Sequence, residues 1–276
     1  MPELPEVETT KNELKLIIIN KYIDKILIFT DSLRFQLNKK NLKKIEKSKI
    51  IKVIRKGKYI LIFFLNNYIL LIHLGMSGRL IFKKEIFNKT KHDHIVLRIK
   101  KNFNIIFNDP RKFGIVDVIK KDLLLNSRYL KKLGVDALSK KFSYKYFENV
   151  LINRKTNIKN ILLNQSLISG LGNIYVCESL FEAGISPFKL ANSLNKKNIK
   201  ILKNKIQKVL KKAIKLKGSS INDYKTPMGT LGSFQNNFKV YNREGKSCKN
   251  IYCGKKIIRT IISGRSAYFC KNCQKN

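Results

Sequence analysis

Apolar residues recur along this chain with two different spacings. Over residues 5–19 they come at helical intervals, with Val7, Leu14, Ile17 and Ile18 on one face. Pro5 suits a first helical position, and Glu6 and Glu8 place acid in the first turn, where the helix dipole favours it. From residue 22 the runs shorten and become strand-like: YIDKILIFT (22–30), IIKVIRKG (50–57), KYILIFFL (58–65) and YILLIHL (68–74). Asn66-Asn67 between two of these runs is a hairpin signal. HIVLRI (94–99), NIIF (104–107) and FGIVDVI (113–119) continue the series. Strands in succession without helical crossovers predict an antiparallel sandwich or barrel over about residues 1–125.

Helical spacing returns near residue 128. KYFENVLIN (145–153), NIKNILLN (157–164) and NIYVCESLFEAG (173–184) are helix candidates. Ile199, Leu202, Ile206, Leu210, Ala213 and Leu216 line a longer amphipathic helix that stops at Gly218. Its basic face is a solvated outer surface in preference to a membrane-binding one. Residues 218–236 are rich in Gly, Ser and Asn and predict a mobile loop. A cysteine module follows from about 240. The expected fold class is therefore a multidomain α+β chain. Residues 1–128 form an N-terminal antiparallel β-sandwich with an N-terminal helix, 129–236 a helical domain with its loop, and 237–276 a cysteine module.

Charge adds a partner class. The 276 residues hold 58 Lys+Arg against 18 Asp+Glu, a formal +40. That excess favours a polyanion such as DNA or RNA. Lys, Asn and Ile crowd the whole chain, as an AT-rich genome would write them, so composition drift accounts for part of the charge. No run of about 18 apolar residues is present, which argues against a membrane span. No basic start leads into an apolar signal core, so a cytoplasmic protein is expected.

The sharpest local motif is Cys248-x4-Cys253-x16-Cys270-x2-Cys273. Two close pairs joined by a ribbon-like segment have zinc-ligand spacing. Four thiolates close a tetrahedral site, so one structural Zn2+ without chemistry of its own is expected. So short a module buries little core, and the metal would supply folding energy. Cys177 lies apart in a helix pattern and reads as packing. Between the pairs, KKIIRTIISGRSAYF alternates as a hairpin with Ser263-Gly264 at its turn and Arg265 at or next to the tip. That arginine could grip a phosphate or be an ordinary exposed side chain. SLISGLGNIY (166–175) puts Gly170 and Gly172 before a helix start near Asn173, a backbone that can approach a phosphate closely.

The start MPELPEVETT is acidic on a basic chain. With Met1 removed, Pro2 becomes a terminal secondary amine. A terminal amine has a pKa of about 7.7–8.0 against about 10.4 for lysine, so far more of it is unprotonated near neutrality. Its attack on a sugar C1′ would give an iminium cation, an electron sink that permits elimination of neighbouring phosphates. Glu3 could serve as general acid. Taken alone, Pro2 reads more simply as protection of the terminus.

MPELPEVET, GKY at 57–59, LGMSG at 74–78, KHDH at 91–94, DPRKFG at 109–114, GLGNIY at 170–175 and the zinc hairpin, in this order, resemble bacterial formamidopyrimidine-DNA glycosylase over residues 2 to about 274. The resemblance implies a β-sandwich, a helix-two-turn-helix domain and a C-terminal β-hairpin zinc finger. It implies a monomeric, nucleoid-associated bacterial repair enzyme. Such an enzyme excises oxidised purines, chiefly 8-oxoguanine and formamidopyrimidines, from double-stranded DNA and nicks the abasic site by β- and δ-elimination. Pro2 would be the Schiff-base nucleophile, Glu3 the proton donor to the sugar, and Glu6 a neighbour. Lys58 would assist elimination, and Arg265 would grip the phosphate flanking the flipped nucleotide. Met76, Arg111 and Phe113 would fill the gap the base leaves, Arg111 also bonding the orphaned cytosine. His92, Arg154, Lys159 and Asn173 match positions that hold the DNA backbone. The loop at 218–236 resembles the one that closes on the flipped base.

Two departures stand out. The first cysteine pair encloses four residues where the family has two, and Lys112 stands where arginine is common. Two other readings remain. The sister enzyme endonuclease VIII removes oxidised pyrimidines with the same chemistry. A non-catalytic zinc-ribbon protein would explain the charge but not Pro2-Glu3.

Overall fold

A computed structural model describes residues 2–100, 103–221 and 224–275. Met1, on whose removal the Pro2 chemistry depends, and residues 222–223 of the expected mobile loop lie outside the described residues. By its contacts the chain divides into two compact units, residues 1–132 with 216–233, and residues 133–215 with 234–276. The loop that leaves the long helix thus groups with the strands, and the cysteine module groups with the helices. No helix among the described residues is long and apolar enough to cross a membrane.

The first unit begins with α1 (Leu4–Ile18), followed by β1 (Lys25–Ile28), the short α2 (Lys39–Lys43), β2 (Ile50–Lys56), β3 (Tyr59–Phe64), β4 (Tyr68–His73), β5 (Arg79–Lys83), β6 (Asp93–Lys100), β7 (Phe103–Asn108) and β8 (Ile115–Lys120). The strands make two four-stranded sheets, ordered β1-β6-β7-β5 and β2-β3-β4-β8, with every pairing antiparallel. One core runs through both: Ile60, Ile62, Leu70 and Ile72 from one sheet pack in a cluster with Ile95, Leu97, Ile105 and Phe107 from the other. Val7, Leu14 and Ile18 of α1 join that cluster. The sandwich is the expected one. Strand β5 was not expected, because RLIF is short and lies between a glycine-bounded turn and a lysine-rich loop. The first strand is trimmed to four residues of the expected nine, while Asp24 and Phe29 N–H still bond the Arg98 and His94 carbonyls at 2.7 and 2.9 Å and Tyr22 bridges to Lys49.

The second unit holds a two-residue parallel pair, β9 (Val135–Asp136) with β10 (Ile168–Ser169), and the helices α3 (Tyr144–Leu151), α4 (Ile158–Leu163), α5 (Asn173–Ala183) and α6 (Lys196–Lys215). Ser143 and Asn157 cap α3 and α4 by accepting Tyr146 N–H at 3.1 Å and Asn160 N–H at 3.2 Å. The unit ends in the hairpin β11 (Ile258–Ile262) and β12 (Arg265–Phe269), with Ile262 paired to Arg265 across Ser263-Gly264. Glu178 of α5 holds the approach to this hairpin. Its buried carboxylate accepts the backbone N–H groups of Lys239, Val240 and Tyr241 at 2.8–3.1 Å. Burial raises the Glu178 pKa, and those three donors oppose the rise.

Candidate active site and nucleic-acid interface

Pro2 and Glu3 are both buried at the start of α1. Glu6 turns back one helical turn, its Oε2 accepting Glu3 N–H at 2.8 Å, which closes the helix start around the two residues. Its Oε1 accepts Ser219 N–H at 2.7 Å. This contact needs a glycine next door. A Cβ on Gly218, whose φ is +80°, would stand 2.7 Å from Glu6 Oε1. Glu8 faces the other way. It accepts Arg55 Nε at 2.7 Å, and Arg55 Nη1 donates to Gly57 carbonyl at 2.7 Å. That chain of contacts ties α1 to the β2–β3 turn carrying Lys58, which is itself buried.

A second cluster gathers three of the quoted motifs around Asp109. This wholly buried carboxylate accepts Ser77 Oγ–H at 2.6 Å and Gly114 N–H at 2.8 Å. Arg111 N–H reaches Asp109 Oδ1 at 3.3 Å and Ser77 Oγ at 3.2 Å. The backbone of Asp109 bonds His92 carbonyl at 3.1 Å and contacts His94 Nε2 at 2.9 Å. LGMSG, KHDH and DPRKFG are therefore one assembly. Above it Met76, Arg111 and Phe113 are exposed, and the Arg111 guanidinium lies 4.7 Å from the Phe113 ring centre. Gly75 allows the two loops to touch, since a Cβ there would come within 2.5 Å of the Phe113 backbone. A cavity of about 630 Å³ opens beside them, lined by Arg34, His73, Met76, Arg111 and Phe113 among others.

His73 was not singled out from the sequence, although it directly precedes LGMSG. Its Nδ1 accepts Gly75 N–H at 3.0 Å, which leaves the ring proton on Nε2. Burial, then the charges of Lys58 and Arg34, pull its pKa down to about 4. The result is a neutral hydrogen-bond donor among cations, chemistry suited to a phosphate oxygen.

In the second unit the hairpin tip is held by helices. Lys159 is fully buried in α4, and its Nζ donates to Arg265 carbonyl at 3.3 Å. Burial, with Arg265 nearby, lowers its pKa. Asn160 donates to Ser263 Oγ at 2.7 Å and Asn173 to Ser266 carbonyl at 2.9 Å. These bonds leave the Arg265 side chain exposed on a fixed backbone. Arg154 is half-buried and donates back to Val150 carbonyl at 2.6 Å, while His92 in the first unit is half-buried.

The four cysteine sulfurs of Cys248, Cys253, Cys270 and Cys273 lie within 4.8 Å of one another. Cys248 and Cys273 are 3.8 Å apart, and Cys253 and Cys270 are 3.5 Å apart. Zinc–sulfur bonds of about 2.3 Å in a tetrahedron place sulfurs about 3.8 Å apart, so the cluster fits such an ion. Side-chain amides of Asn250 and Asn272 donate to the Cys273 and Cys253 sulfurs, each at 3.4 Å. The four-residue first pair therefore closes around the cluster and displays its extra residues, with Ile251 and Tyr252 fully exposed. Cys177 is packed in the apolar cluster beneath, with Val240 and Ile257.

Comparison with known proteins matches residues 1–116 to the formamidopyrimidine-DNA glycosylase N-terminal domain and residues 133–225 to the formamidopyrimidine-DNA glycosylase H2TH domain. The chain belongs to the formamidopyrimidine-DNA glycosylase family. A family member from Wolbachia pipientis subsp. Culex pipiens is 42% identical over 275 residues, covering 99% of this chain and all of the relative. Among solved structures, a Lactococcus lactis variant of the family in complex with Fapy-dG-containing DNA superposes with a TM-score of 0.92 at 35% identity, covering both chains fully. The wild-type Lactococcus lactis protein in complex with DNA containing an oxidised pyrimidine gives 0.90 at 35% identity, again over both full chains. The family's arrangement of N-terminal domain, H2TH helices and cysteine hairpin is the arrangement seen here.

Proposed function

We propose that this chain is a base-excision repair enzyme that removes oxidised purines from double-stranded DNA and then nicks the abasic site. Support comes above all from the start of α1, where Pro2 and Glu3 are buried together and Glu6 closes the turn on them. Pro2, as a terminal secondary amine, attacks C1′ of the damaged nucleotide, and the base leaves as the C1′–N bond breaks. Glu3 gives a proton to the sugar ring oxygen as the C1′–O4′ bond breaks, which opens the ring and leaves C1′ joined to Pro2 as an iminium. The iminium then acidifies C2′, whose deprotonation expels the 3′ phosphate, and a second elimination expels the 5′ phosphate. Lys58 serves these proton transfers. Met76, Arg111 and Phe113 fill the stack that the flipped base vacates. His73 and Arg265 hold phosphates, with His92, Arg154, Lys159 and Asn173 as further backbone-binding positions. One structural Zn2+ on the four cysteines fixes the hairpin that presents Arg265. The enzyme acts as a cytoplasmic, nucleoid-associated monomer.

Borohydride trapping on 8-oxoguanine·C duplexes tests this. Wild type, with Met1 removed, is expected to give a covalent adduct and Pro2→Gly none. An undiminished adduct with Pro2→Gly, or none with wild type, refutes the mechanism. The Lactococcus relative's complex with oxidised-pyrimidine DNA makes a thymine-glycol duplex the necessary second substrate. Faster excision there would place the chain with the pyrimidine enzymes.

A further inference from the structure

Helix α1 buries two faces. One is the apolar stripe of Val7, Leu14 and Ile18 in the sandwich core. The other is polar: Glu6, Thr10 and Glu13, spaced i, i+4 and i+7, are all buried. Ser219, Tyr224 and Met228, in the same unit, bond to this face. Ser219 N–H bonds Glu6 Oε1 at 2.7 Å, and Tyr224 Oη–H bonds Glu6 carbonyl at 2.9 Å while lying 3.4 Å from Thr10 Oγ1. Two turns along the helix, Glu13 Oε2 accepts Met228 N–H at 3.1 Å. Next to that bond, Pro227 carbonyl accepts Phe82 N–H from β5 at 2.9 Å. The loop is also braced internally. Ser220 Oγ–H donates to Tyr224 carbonyl at 2.7 Å, Ser220 Oγ accepts Gly232 N–H at 2.9 Å, and Thr226 N–H bonds Thr230 carbonyl at 2.9 Å. The loop is thus pinned to α1 at two places about two helical turns apart, and each pin is a buried carboxylate taking a backbone N–H.

We propose that Glu13 is a positioning residue for base excision. It holds the outer half of the loop, around Met228, on α1, so that the inner half, Gly218–Ser220, stays seated beside Glu6 and the Pro2 start. The inference rests on the proposed function and on the resemblance of this loop to the one that closes on the flipped base. Nothing about Glu13 touches the sugar chemistry, so the two activities should separate. Excision of a damaged base needs the loop seated. Strand nicking at an abasic site made beforehand uses Pro2 and Glu3 but offers no base to the loop.

The experiment measures both rates in single turnover for wild type, Glu13→Ala and Glu13→Gln. Glu13→Ala is expected to slow 8-oxoguanine excision about tenfold, the loss of one charge-assisted hydrogen bond. Its nicking of preformed abasic DNA should stay within about twofold of wild type. Glu13→Gln retains an acceptor oxygen and should recover most of the excision rate. Unchanged excision in Glu13→Ala overturns the proposal, as does an equal fall in both rates, which would mark a general packing role. Wild type that excises no oxidised base would refute the functional reading instead, whatever Glu13 does.

Discussion

Removing the Asp109 carboxylate should loosen Met76 and Arg111 together, because one buried side chain holds both loops. In Asp109→Ala the Ser77 hydroxyl and the Gly114 N–H lose acceptors at 2.6 and 2.8 Å. Hydrogen bonds to a charged group are worth about 1.5–3 kcal/mol each, so the two come to about 3–6 kcal/mol. Deleting the carboxylate also removes the cost of burying it, which brings the expected loss to about 2–4 kcal/mol. Arg111 N–H keeps a partner in Ser77 Oγ, so it adds little. Asp109→Asn should fall between wild type and alanine. With its oxygen towards Gly114 and its amide towards Ser77, it satisfies the first bond and asks the hydroxyl to accept instead of donate. Urea unfolding at constant m reads the stability order. Excision of 8-oxoguanine in single turnover reads the loops, and should fall in the same order with little change in affinity for undamaged DNA. A loss below about 1 kcal/mol in Asp109→Ala, or full excision activity in it, would refute the view that this carboxylate holds Met76 and Arg111 in place.

Two other outcomes follow from the electrostatics and the cysteines. Because the fold holds His73 neutral, with a pKa near 4 against an ordinary 6.5, the unfolded chain binds its proton first as pH falls. Its contribution is intact above about pH 6.5 and is lost on the way down to about pH 4, a loss of about 2–3 kcal/mol after allowance for partial exposure. A flatter stability–pH curve over that interval in His73→Gln would show it, and an unchanged curve would contradict it. Purified protein should carry one zinc per chain by elemental analysis. Chelation or Cys253→Ala should unfold the hairpin and abolish specific DNA binding while leaving the thermal transition of the β-sandwich in place. Undiminished binding by metal-free protein would count against the role given to Arg265.

The sandwich strands, the α1 start and the cysteine hairpin were legible because each is carried by local periodicity or by spacing within a short segment. Pro5 and the acids of the first turn marked the helix that begins at Leu4. Ser263-Gly264 marked a turn that pairs Ile262 with Arg265. Met76, Arg111 and Phe113 were picked out through the family resemblance, on two separate motifs. What joins them was not legible. Nothing in DPRKFG says that the Asp109 carboxylate reaches Ser77, 32 residues earlier. Glu13 lies off the apolar face of Val7, Leu14, Ile17 and Ile18, and it is buried because Met228, more than 200 positions away, bonds to it. Lys159 matched a DNA-facing position, yet its ammonium rests on the Arg265 carbonyl. By itself the sequence marked most of the elements, the four cysteines that cluster and the family, since these depend on side-chain type and near-neighbour spacing. Only the tertiary structure decided which polar groups are buried and what they hold. That depends on long-range packing, where a charge survives burial only if distant backbone donors arrive to satisfy it.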